Sequence, residues 1–164
     1  MSDQMARRAW LMPPACGVVD GIDLSLLDPA DEGERQFLLL SEHPELAEAI
    51  ENEEEREVES GAMSPRLHLA MHEVVANRLW DDDPPEMWRT AQRLTQAGYE
   101  RHDVLHMLSS VVGTEVYNAL TGNATSDIAD TRRALAALPD SWEALRAVPQ
   151  NRAARRAQAR RQQK

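Results

Sequence analysis

Through most of the chain, apolar residues recur three and four positions apart, the spacing of one face of a helix. RLHLAMHEVVANRLW, residues 66–80, sets Leu67, Met71, Val74, Val75 and Leu79 on one stripe. Ser64-Pro65 precedes it, a cap followed by a proline suited to the first helical position. DDDPPE follows, with Asp83 placed to cap the next helix and Glu86 three residues on, as in a capping box. That helix, PEMWRTAQRLTQA, stops at Gly98, and the longest pattern then runs over 99–121 to Thr121-Gly122. Ser126 or Asp127 caps IADTRRALAAL, Pro139 ends it, and Ser141-Trp142-Glu143 opens a short helix stopped at Pro149.

Upstream, Asp28-Pro29 reads as cap and first position of a segment in which DEGERQFLLLS buries Phe37, Leu38 and Leu40. His43-Pro44 interrupts it, and an acidic helix over 45–59 stops at Ser60-Gly61. Nothing alternates like a strand. The expectation is an all-α, single-domain bundle of about seven helices. Residues 1–27 form an irregular N-terminal segment, 28–148 the helical domain, and 149–164 a basic tail with no apolar face of its own.

Composition agrees with a helical core. Apolar residues are 42 % of the 164 and aromatics only 4 %. The single cysteine, Cys16, leaves no internal disulfide and no Cys-based zinc finger. No apolar run reaches the roughly 20 residues of a membrane span. Arg7 and Arg8 precede WLMPPACGVVDG, which is too short and broken for a signal sequence, so the expected location is the cytoplasm.

The net charge of −10 is unevenly spread, with no acid after Glu143 and seven basic residues from Arg146 to Lys164. An acidic body with a basic tail points to self-association as a homo-oligomer, or to a nucleic acid or acidic partner bound through residues 152–164. The tail lacks the interleaved aromatics of a base-reading surface.

The candidate chemistry lies in the histidines. Four of the five stand in two H-x-x-x-H pairs, His68/His72 and His102/His106. Chance placement gives about 0.1 such pairs in a chain of this length. Residues four apart share a helix face, so each pair can offer two imidazoles to one metal ion. His68 and His72 align with Val75 and Leu79, and His102 and His106 with Ser109, Gly113 and Val116. Both pairs therefore face inward, and the small Ser109 and Gly113 let another helix approach. Buried imidazoles need partners, and a cation supplies one to each. Glu73 and Asp103, each beside a histidine, are candidates for a hydrogen-bond acceptor behind a ligand or for a base. His43, before a proline, reads as a helix-boundary residue.

Three functions fit. The first is transition-metal binding through His68, His72, His102 and His106, with zinc leading and iron, manganese, nickel or copper also compatible. The second is a non-enzymatic adaptor, with RNA or ribosome association as one form of it, that uses the acidic helix and the basic tail and merely packs its histidines. The third is a zinc-dependent hydrolase, because HDVLH approximates H-E-x-x-H, though with Asp103 for the glutamate and no matching third ligand.

SPRLHLAMH, DDPP and HDVLH followed by Gly113 also resemble a bacterial family of domains of unknown function. Its members carry N-P-x-L-H-L-x-M-H, a D-x-P-P turn and H-E-x-x-H. The resemblance covers about residues 30–120 and implies that His68, Met71, His72, Pro84, Pro85, His102 and His106 occupy family positions. Ser64 and Asp103 depart from the pattern, and the family implies no activity.

Overall fold

The computed structural model describes residues 3–14, 17–44, 46, 64–122 and 127–147. The expected acidic helix (save Leu46), the basic tail, Cys16 and Ser126 lie outside them. Seven helices and one small ribbon make up the described chain: α1 (Asp3–Leu11), β1 (Val18–Val19), β2 (Ile22–Asp23), a 3-10 turn (Leu24–Leu26), α2 (Glu32–Ser41), α3 (Pro65–Asp81), α4 (Pro85–Gln96), α5 (Arg101–Thr121), α6 (Ile128–Ala136) and α7 (Asp140–Ala147). The all-α expectation holds.

The N-terminal stretch is not irregular. α1 forms because it has somewhere to pack, as most short helices in proteins do. Leu11 is buried, and Ala6 and Trp10 rest on the core. The Trp10 ring meets Trp88 edge-on at 6.4 Å. Arg101 donates to the carbonyls of Trp10 (2.5 Å) and Leu11 (3.1 Å), supplying a cation to the helix C-terminus. The ribbon turns on Asp20-Gly21, both at positive φ, the two-residue turn that suits a hairpin. Its two-residue strands are too short to show alternation.

α2 begins three residues later than its proline suggests. Asp28 accepts from the Ala30 amide (2.9 Å) and Arg8 (2.5 Å), while Asp31 takes the cap and accepts from the Glu34 amide at 3.0 Å. The helix turns Arg35, Leu38 and Leu39 inward, with Phe37 and Leu40 only half-buried. The buried Arg35 is satisfied by the Pro29 carbonyl (2.5 Å) and Asn77 Oδ1 (2.9 Å), which fastens α2 to α3.

Ser64 caps α3 as expected, accepting from the Leu67 amide at 3.2 Å. Asp82, in the left-handed conformation, ends it. The cap of α4 falls on Pro84, not Asp83, with no side-chain bond. α3 and α5 form the centre of the core. Two contacts fix their register: His72 with Ser109 and Arg78 with Glu115, each pair 37 positions apart. A constant offset means the two helices run parallel. α4 makes the return between them, burying Met87, Trp88, Ala91 and Leu94. α6 closes the far side, its last carbonyls held by Arg93.

Leu105 is fully buried on α5 and Leu120 is 83 % exposed. Leu105→Ala is expected to cost about 2–5 kcal/mol in urea denaturation, and Leu120→Ala within about 0.5 kcal/mol.

Candidate metal centre

The parallel register of α3 and α5 brings the two histidine pairs into one place. His68 and His106 have ring centroids 4.9 Å apart, and His72 and His106 4.7 Å. The end of α2 adds the fifth ring. His43, just beyond the Glu42 cap, is 1 % exposed and lies 4.7 to 5.9 Å, centroid to centroid, from each of the other four. It is a helix-boundary residue, as its proline implies, and it is also the hub of the cluster. All five histidines of the chain therefore converge.

One ring nitrogen from each of His43, His68, His72 and His106 can be chosen so that all four lie within 4.8 Å of one another. A zinc–nitrogen bond of about 2.0–2.1 Å sets tetrahedral ligand atoms about 3.3 Å apart. The group is thus within side-chain adjustment of a coordination shell. It differs from the set predicted from spacing, with His43 in and His102 out. His102 stands next to it, Nε2 3.2 Å from His43 Nε2.

The first helix pair carries a second layer. His72 Nδ1 lies 3.2 Å from Ser109 Oγ, while its Nε2 lies 2.7 Å from His68 Nε2. A proton on Nδ1, donated to Ser109, leaves Nε2 as the free base that a metal needs. Ser109 was assigned only a spacing role from sequence, and its hydroxyl has no signature there. His43 is held from behind. The neighbouring Glu42 pairs with Arg101, itself beside His102, so one ion pair draws the end of α2 onto the start of α5.

Burial and the neighbouring imidazoles favour the neutral form of His72, His102 and His106. Burial, then the surrounding imidazoles, push His72 down to about 2. The same causes hold His106 at about 4, against an opposing pull from Asp103. His102 is lowered by burial and by His43, with Glu42 opposing. Asp103, half-buried, thus acts on the cluster by charge. Glu73 does not: it points to α2, where Gln36 Nε2 donates to it at 2.7 Å. Adjacent in sequence to His72, it is about 100° away around the helix.

A cleft of about 380 Å³ opens beside the rings. His68, Met71 and His72 line it from α3, and Trp142 from α7. From α5 come His106, Ser109, Ser110, Gly113, Thr114 and Tyr117, one continuous helical stripe. Gly113 does not serve close helix approach, because a Cβ built there would meet nothing within 4 Å. It forms open floor.

Residues 26–137 match a family described as a domain of unknown function, DUF1841. The chain belongs to the DUF1841 family. The DUF1841 region holds all five histidines and the helices that carry them, α2, α3 and α5, while α1 and α7 lie outside it. No curated protein and no solved structure matches the chain.

The depressed histidines set a pH dependence. Unfolded, each titrates near 6.5. In the metal-free fold His72 and His106 stay neutral far lower. The unfolded chain therefore binds more protons below pH 6.5, and stability falls as pH falls from there towards 4. The metal-free protein should melt at least about 5 °C lower at pH 5 than at pH 7 in differential scanning calorimetry. His72→Gln/His106→Gln should flatten that difference, and an equal pH dependence in the variant would refute its assignment to these rings.

Proposed function

We propose that the protein binds one divalent first-row transition-metal ion at the histidine cluster, with zinc the leading ion. The observation that carries this is the convergence of all five histidines, four of them with ring nitrogens within 4.8 Å of one another. Imidazole nitrogen suits zinc, copper, nickel and iron(II), and disfavours calcium and magnesium. Neutral rings are the form that binds, and burial holds His72 and His106 in it. Ser109 behind His72 supplies the outer hydrogen bond that metal-bound histidines usually have.

The geometry favours a binding centre over a hydrolase of the H-E-x-x-H kind. That chemistry needs both histidines of HDVLH on the ion, and the group whose ring nitrogens lie within 4.8 Å of one another uses His106 without His102. It has also lost Glu73 as a base. The adaptor reading rests on 45–59 and 152–164, outside the described residues. Among the described residues no helix is long and apolar enough to cross a membrane.

The test is elemental analysis of protein purified without an affinity tag or chelator, and again after dialysis against zinc. About one equivalent of a single ion is expected in the wild type, and less than a tenth of that in His72→Ala/His106→Ala. Bound metal should raise the melting temperature of the wild type only. A wild-type chain that takes up no metal by either route would overturn the proposal.

A further inference from the structure

We infer that the cleft admits a small monoanionic oxygen donor carried on an aromatic body, its donor atom directed at the bound ion. This rests on the metal reading above and adds the class of ligand that the centre takes.

Charge gives the donor. A shell built from His43, His68, His72 and His106 is neutral, so the ion keeps its full double charge. An anion entering from the cleft can join the four nitrogens as a fifth donor, drawn by that charge more strongly beside the buried His72 than in bulk water. The cleft reaches His68, His72 and His106 directly, so its contents can approach an ion held by them. Among the described residues that line it there is no lysine, arginine, aspartate or glutamate. Among these described residues no charged side chain competes with the ion for an anion. Two lining hydroxyls spend their hydrogens on their own helix: Ser110 donates to the Met107 carbonyl (2.6 Å) and Thr114 to that of Ser110 (2.9 Å). One charge is therefore matched and a second is not.

Shape and polarity give the body. The volume of about 380 Å³ falls within the range of small-molecule sites. Tyr117 and Trp142 provide flat aromatic walls and Met71 a pliable one. Trp142 lies nearly parallel to His106, 20° between planes, so the aromatic wall continues into a ring of the cluster. The missing side chain at Gly113 keeps the floor open.

The experiment uses the full chain loaded with cobalt(II), whose visible bands report changes in coordination. It is titrated with benzohydroxamate and with acetohydroxamate, which share a donor group and differ in the aromatic ring. Both should shift the spectrum, benzohydroxamate at concentrations at least tenfold lower. Gly113→Phe should erase that preference while keeping cobalt stoichiometry and the acetohydroxamate response. Trp142→Ala, at the cleft rim, should weaken benzohydroxamate at least threefold and leave acetohydroxamate unchanged. A cobalt protein whose spectrum neither compound alters would overturn this inference and leave the metal reading standing. So would a preference that survives in both variants. A chain that takes up no cobalt would overturn both.

Discussion

Five imidazoles packed against one another is the constraint around which this fold is arranged. Each neutral ring carries one nitrogen that accepts a hydrogen bond and one N–H that donates one, and two rings cannot both take a proton without repelling each other. The surroundings accordingly fix tautomers and exclude charge. Ser109 answers His72 from the neighbouring helix, and Arg101 with Glu42 holds the end of α2 against the start of α5. These contacts all depend on the register between α3 and α5. A slip of one residue along either helix would turn its histidines about 100° away. Arg78 on Glu115, two turns beyond, resists such a slip.

The sequence showed whatever is local. The Ser64-Pro65 start of α3, the Gly98 stop and the inward-facing histidine pairs follow from rules acting over four residues or fewer, and the structure has them. It did not show what depends on distant partners. His43 carries no helical period because it lies past the end of α2, and only the packing of α2 on α3 brings it to the other rings. The one available signal was that it was the sole remaining histidine in the chain. α1 has no helical signature in the sequence because its few apolar residues become a face only when Trp88 and Arg101 receive them. Glu73 misled because neighbours in sequence are not neighbours on a helix, and Gly113 because small residues serve either close packing or open floor.

Arginines recur at the joints of this fold. Arg35 joins α2 to α3, Arg93 receives the end of α6, and Arg101 receives the end of α1 while binding Glu42. Each donates to two or more oxygens at once, which a planar guanidinium does without leaving a polar group unsatisfied. With few aromatics, the chain uses these cations to set helix ends where bulky rings would otherwise fill corners.

The family match and the site do not share a boundary. Every histidine lies within residues 26–137, but the Trp142 wall of the cleft and the α1 carbonyls that receive Arg101 lie beyond it. The matched region thus contains the rings, while part of what encloses them lies outside it. Substitutions in α1 or α7 can therefore reshape what encloses the rings while the helices that carry the histidines stay as they are.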